Sequence, residues 1–142
     1  MITFIDTNVL IYLIDDREPL HEWSEKQFIH CKSQGPVVIP DVVYAEFSAG
    51  MTSKKHTDEA LETLSLERAQ ISRDALYEAG RLFRTYKTNG GNKKNVLSDF
   101  FIAAQAADEE AYVLTANRKD FYKLLPTLKL ITPETKTSSK AP

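Results

Sequence analysis

The stretch that decides the fold is residues 1–13, Met1-Ile2-Thr3-Phe4-Ile5-Asp6-Thr7-Asn8-Val9-Leu10-Ile11-Tyr12-Leu13. Ile2 to Ile5 is a short apolar run with β-branched members, which favours a strand. Asp6-Thr7-Asn8 ends the run with side chains suited to a turn, and Val9, Leu10, Tyr12 and Leu13 resume at helical spacing. The reading is strand, turn, helix, with a carboxylate at the junction.

The same alternation continues outward from this unit. A helical pattern over about 20–32, after Pro19, carries Trp23, Phe28 and Cys31 toward a core, and 37–39 after Gly35-Pro36 reads as a buried strand. Pro40-Asp41 opens the next helix, with Asp41 as its N-cap and Gly50 as its stop. Residues 56–64 favour helix and 67–72 a short strand. Residues 73–86 form an amphipathic helix ending at Asn89-Gly90-Gly91. In 96–110, Leu97, Phe100, Phe101, Ala104 and Ala107 make an apolar stripe of helical period. A strand over 112–115, a helix over 118–125 and a strand over 128–131 follow. Short strands that are apolar throughout, alternating with helices, imply an α/β fold with a parallel sheet covered on both faces. The expected organisation is one domain over 1–133 and a flexible tail over 134–142, rich in Ser, Thr and Lys.

Composition agrees with a globular domain: 142 residues, 42% hydrophobic and 27% charged, with 5 Gly and 6 Pro, which excludes disordered and collagen-like classes. A single cysteine, Cys31, excludes an internal disulfide. No run approaches the roughly 20 apolar residues that span a bilayer. The first residues lack the basic and apolar regions of a signal peptide, so a cytoplasmic protein without a membrane partner is expected. A net charge of −2 means that affinity for nucleic acid must come from a local basic surface.

In a parallel α/β sheet the ligand site lies beyond the carboxyl ends of the strands, near a switch in strand order. Asp6 and Asn117 stand at such ends. Asp6 also suits a helix N-cap. Glu46 has Val42, Val43 and Ala49 as helical neighbours, which sets a carboxylate along an apolar face, unless it is a boundary residue reaching water. Asp99 lies in a first helical turn beside Ile102, Ala103 and Ala106, where the helix dipole by itself also favours an acid. Taken together, clustered buried carboxylates repel one another, and a divalent cation removes that repulsion. Oxygen ligands without His or Cys suit Mg²⁺ or Mn²⁺ rather than zinc, and His21, His30 and His56 have no zinc spacing with Cys31. Such an ion serves phosphodiester hydrolysis. The segment 87–95 adds Lys87, Lys93 and Lys94 without an acid, and its glycines let backbone N–H groups approach an anion. Lys93 and Lys94 are the candidate substrate-binding residues, the alternative being a solvated charged loop. Glycine-rich nucleotide loops and the Gly-x-Ser-x-Gly elbow are missing, and Cys31 reads as core.

These residues resemble a family. Phe4-Ile5-Asp6-Thr7-Asn8-Val9-Leu10, Tyr44-Ala45-Glu46-Phe47, Gly90-Gly91 followed by Val96-Leu97-Ser98-Asp99-Phe100-Phe101-Ile102-Ala103-Ala104, and Leu114-Thr115-Ala116-Asn117 look like the ordered motifs of PIN-domain ribonucleases. Within that family they are most similar to VapC-type toxins of toxin–antitoxin pairs, over 2–133. The resemblance implies a three-layer α/β/α fold with a central, mainly parallel sheet and an endoribonuclease dependent on Mg²⁺ or Mn²⁺. Asp6 and Asp99 would be direct metal ligands, with Glu46 helping to hold the metal or its water. It also implies an RNA substrate, a homodimer and a cognate antitoxin. One departure is Asn117, where the family's motif commonly has Asp; Asp120, one helical turn on, is a partial substitute. Two other readings stay open on the residues alone: an RNA- or partner-binding module with little turnover, motivated by Asn117, and a DNA nuclease using the same carboxylates.

Overall fold

The computed structural model describes residues 1–91 and 97–133. The elements run β1 (Thr3–Ile5), α1 (Thr7–Ile14), α2 (His21–Gln34), β2 (Val37–Pro40), α3 (Asp41–Ala49), α4 (Lys54–Thr63), β3 (Glu67–Ala69), α5 (Arg73–Thr88), α6 (Leu97–Asp108), β4 (Tyr112–Leu114), α7 (Arg118–Leu124) and β5 (Lys129–Ile131). The five strands form one sheet of order β3-β2-β1-β4-β5, and every pairing is parallel. The architecture is the three-layer α/β/α arrangement. Lys93 and Lys94, and the tail over 134–142, lie outside the described residues. Among the described residues no helix is long and apolar enough to cross a membrane.

The order has a functional consequence. The chain starts at the centre with β1, builds outward through β2 and β3, then returns to the other side of β1 with β4 and β5. The switch point of the sheet therefore lies between β1 and β4, and the crevice for a ligand opens beyond their carboxyl ends. Phe4, Ile5, Ile39, Val113 and Leu114 in the strands and Val9, Leu10, Val43, Phe47, Ile102, Ala103, Ala106 and Phe121 in the helices make the main core.

Local chemistry sets the helix ends. Ser53 accepts a hydrogen bond from the His56 N–H, and Ser72 accepts one from the Ala75 N–H, each satisfying an otherwise unpaired amide of a first turn. Residues 67–72 thus divide into a short strand, 67–69, and a cap at Ser72. Asp41 is the first residue of α3 and not its N-cap, which is Pro40; its carboxylate pairs instead with Arg68 at 2.9 Å. Gly50 does end α3. Helix α1 begins at Thr7, earlier than the apolar spacing indicates, because Asp6 caps it.

A second, smaller cluster joins α5 to α6. Ala75 and Ala79 let the helices approach, and Phe100 and Ala104 fill the seam. The rings of Phe83 and Tyr86 meet Phe100 edge-on, with centroids 5.6 and 5.5 Å away. Phe100 adjoins Asp99, so this packing fixes where that carboxylate stands. Ile102, fully buried against the main core, is expected on truncation to Ala to cost about 2–5 kcal/mol, read as a lowered urea midpoint with an unchanged m value; a loss below about 1 kcal/mol would contradict this packing.

Candidate functional site

Asp6 follows the last residue of β1 and is buried, with a relative exposure of 5%. A carboxylate in such a place needs donors. Its Oδ1 accepts from the Thr7 N–H at 2.7 Å. Its Oδ2 accepts from the Thr115 hydroxyl at 2.7 Å and from the Asn8 side-chain amide at 3.2 Å. Asp6 is thus the N-cap of α1 and stands buried at the switch point. Burial pushes its carboxyl above the ordinary value, and the charge of Glu46 adds to this, while the hydrogen bonds from Thr115, Thr7 and Asn8 oppose it.

From Asp6 a chain of hydrogen bonds runs in both directions. On one side the Thr7 hydroxyl donates to Glu46 Oε1 at 2.6 Å, linking α1 to α3. On the other, the Asn117 N–H donates to Thr115 Oγ at 2.9 Å, and the Asn117 side-chain amide donates to Asp120 Oδ2 at 3.0 Å. Asn8 Oδ1 accepts from the Ala116 N–H at 3.2 Å, which ties the turn after β1 to the turn after β4. Glu46, Asp6 and Asn117 therefore belong to one connected site, as does Asp120.

Asp99 is half-buried in the first turn of α6. It shares with Asp120 the wall of a cavity of about 410 Å³, between the end of α5 and α7. The expectation of three buried carboxylates is corrected here: only Asp6 is buried, whereas Glu46 is exposed and Asp99 half-exposed. On α3 the residues packed in the core are Val43 and Phe47; Val42 is half-buried and Ala49 exposed, so the neighbours of Glu46 do not enclose it. Among the described residues no group of three or more Asp, Glu, His or Cys side chains is gathered closely enough to hold a metal ion. The donors present are hard oxygens, which is the ligand type for Mg²⁺ or Mn²⁺, and the buried Asp6 gains most from a cation.

The glycines after α5 do not leave amides for an anion. The Gly90 N–H donates to Lys87 O at 3.1 Å and the Gly91 N–H to Tyr86 O at 2.8 Å, with Gly90 at φ +85°. This is the left-handed helix stop in which both amides satisfy carbonyls of the helix's own last turn. His21 is half-buried and His30 and His56 are exposed, while Cys31 is buried. Sequence reasoning missed Thr7, Asn8 and Thr115 as the groups that hold the acids; polar side chains directly after two apolar strand runs were the available signal.

The raised pKa of Asp6 has a signed consequence. An acid whose native pKa exceeds its unfolded value binds more protons when folded, so its contribution to stability falls as pH rises from about 4 through the native pKa and is constant above it. Asp6→Asn removes that dependence. In chelator, the unfolding free energy of Asp6→Asn relative to wild type is expected to increase over this range, measured by urea melts at stepped pH; a flat difference would show that Asp6 is not held in a desolvated place.

Comparison with known proteins places the fold. The family model described as "PIN domain" matches residues 3–124. A chain of the VapBC2 complex from Rickettsia felis, solved bound to a promoter DNA fragment, is 24% identical, with 93% of this chain and 98% of that chain covered and a TM-score of 0.73. A chain of VapBC-1 from nontypeable Haemophilus influenzae is 23% identical, with 93% and 98% covered and a TM-score of 0.68. A chain of FitAcB from Neisseria gonorrhoeae is 21% identical, with 94% and 99% covered and a TM-score of 0.65. Comparison with curated protein sequences finds no match. With the family model spanning most of the chain, over residues 3–124, the protein belongs to the PIN-domain family, whose members are nucleases.

Proposed function

We propose that the protein is an endoribonuclease dependent on Mg²⁺ or Mn²⁺ that hydrolyses RNA phosphodiester bonds, and that it is the toxin of a type II toxin–antitoxin pair. The observation that carries the reading is the buried Asp6 carboxylate at the switch point, linked through Thr7 to Glu46 and through Thr115 to Asn117. Asp6 and Asp99 would hold the ion, with Glu46 and Asn117 supplying further oxygens. Such an ion lowers the pKa of a bound water and offsets charge developing on the phosphate.

The chain's own residues do the positioning. Three donors hold both Asp6 oxygens, so the acid is oriented before any substrate arrives. Thr7 restrains the exposed Glu46, a long side chain that would otherwise sample many rotamers. Asn117 brings no charge, but its amide directs Asp120 toward the same crevice. Lys93 and Lys94 are proposed phosphate contacts. The toxin reading is supported by the similarity to chains from VapBC and FitAcB complexes, and a cognate antitoxin is proposed as partner on the same ground.

Labelled total RNA incubated with purified protein is expected to give discrete bands with Mg²⁺ or Mn²⁺, none with chelator, and none with Asp6→Ala or Asp99→Ala prepared alongside. The product of a short neighbouring reading frame is expected to suppress those bands. Cleavage by Asp99→Ala at the wild-type rate would refute the site. A second reading, a PIN-like module that binds RNA or a partner with little turnover, is favoured by Asn117, which brings no charge where the family's motif commonly has Asp; RNA binding without cleavage at saturating metal would establish it.

A homodimer is proposed as well. On α5, Leu76, Tyr77 and Phe83 expose 45%, 68% and 37% of their surface. Gly80 has open space about it, so a second chain can approach closely along the same helix. Leu76→Asp with Tyr77→Asp is expected to convert a dimer to a monomer in sedimentation; a wild-type monomer at micromolar concentration would overturn the proposal.

A further inference from the structure

We infer that Tyr122, with Arg118 stacked on its ring, is a platform for an unpaired base of the RNA strand, close to the scissile phosphate. The inference rests on the RNA-cleaving reading above and adds to it a strand-holding contact outside the proposed metal site. The two residues stand one turn apart on α7, so their side chains lie on one flank of the helix. The Arg118 guanidinium carbon lies 5.8 Å from the centre of the Tyr122 ring, within the reach of a cation–π contact, roughly 6 Å. Tyr122 is nevertheless 53% exposed. Its neighbour Phe121 is fully buried in the main core and anchors the helix, so the tyrosine ring carries little of the packing. A flat, open ring steadied by a planar cation is the kind of surface on which single-stranded nucleic acids stack their bases, using aromatic rings and arginine planes alike.

Three features favour a nucleic acid strand as the occupant. The first is place. Helix α7 begins at the residue after Asn117, whose N–H is bonded to the Thr115 hydroxyl that itself donates to Asp6. Arg118 therefore stands beside the switch point, and Tyr122 is about 6 Å further along the helix axis, a nucleotide or two along a strand that advances about 3.4 Å per stacked base. The second is chemistry. Lys119 and Lys123, also one turn apart, are exposed on the same helix, and the ion pairs among the described residues use neither of them nor Arg118. Protein–protein interfaces are depleted in lysine, whereas surfaces that track a single strand combine cations with rings. The third is contrast with the other cation–ring pairs among the described residues. Phe83, under Lys87, packs edge-on against Phe100. Tyr112, under Lys129, is the first residue of β4, at the end of the sheet away from Asp6.

The test uses the full chain in chelator, so that binding is read without cleavage. The probes are a labelled single-stranded RNA of mixed sequence and an abasic strand of equal length, which keeps the sugar–phosphate backbone and lacks the bases. Tyr122→Ala is expected to weaken RNA binding about tenfold, the order of one stacked base, with an unchanged melting curve and an unchanged salt dependence, since the ring is uncharged. The abasic strand should bind Tyr122→Ala as it binds wild type. Tyr122→Phe keeps the ring and should stay within about twofold of wild type on RNA, well inside the loss of a stacked base. Arg118→Lys keeps the charge but not the planar guanidinium; it should weaken binding of the RNA and spare the abasic strand. Wild-type RNA affinity in Tyr122→Ala overturns the inference. So does equal weakening of the two strands, which would make the ring a backbone or structural contact, or a Tyr122→Ala protein that loses only self-association or a protein partner. If wild type cleaves RNA and Tyr122→Ala binds and cleaves as well as wild type, the platform fails and the nuclease reading stands. If the base-dependent loss is seen but no metal supports cleavage, the nuclease reading fails and the platform stands.

Discussion

The hydrogen bond from the Thr115 hydroxyl to the Asp6 carboxylate is the contact on which the rest of the site depends. It joins the ends of two adjacent parallel strands at the place where the sheet reverses its order of growth. A carboxylate left without donors at that depth would be too costly to keep ionised. Here one oxygen caps α1 and the other receives two donors, from α1 and from the end of β4. The acid is consequently a structural joint and a chemical group at once. The same Thr7 whose amide serves Asp6 uses its hydroxyl to hold Glu46, so the placement of α3's exposed acid follows from that of Asp6.

The other half of the crevice is organised by apolar packing. Small residues on α5 let it lie against α6, and Phe100, gripped by Phe83 and Tyr86, locks the first turn of α6. Asp99 takes its position from that turn. Where α5 must stop, Gly90 in the left-handed region and Gly91 against the Tyr86 ring end it within a few residues. The two amides that a glycine-rich basic segment offered to an anion are thereby committed to the helix.

Much of this was legible in advance. The strands at 3–5, 37–40 and 112–114 are apolar on both faces, which marks a covered parallel sheet, and the helices between them carry clear periodicity. Asp6 was legible because a carboxylate directly after a buried strand is costly to desolvate unless it caps a helix or meets a cation. Glu46 had two readings, an acid along an apolar face or a boundary residue reaching water, and its exposure takes the second: of its helical neighbours only Val43 is in the core, while Val42 is half-buried and Ala49 exposed. Asp41 was misplaced by one position because Asp before a helix and Asp in its first turn look alike in sequence, and its tie to Arg68 joins α3 to β3, elements far apart along the chain.

The sequence by itself determined the alternation of elements, the α/β class and which acids are candidates, because these follow from local periodicity, turn chemistry and residue type. Only the tertiary structure decided which acids share a site. The link from Thr7 to Glu46 and that from Thr115 to Asp6 join residues 39 and 109 positions apart, and the cavity brings α5, α6 and α7 together. Such contacts depend on strand order and helix packing, which are properties of the folded chain as a whole and leave no periodic trace in any single segment.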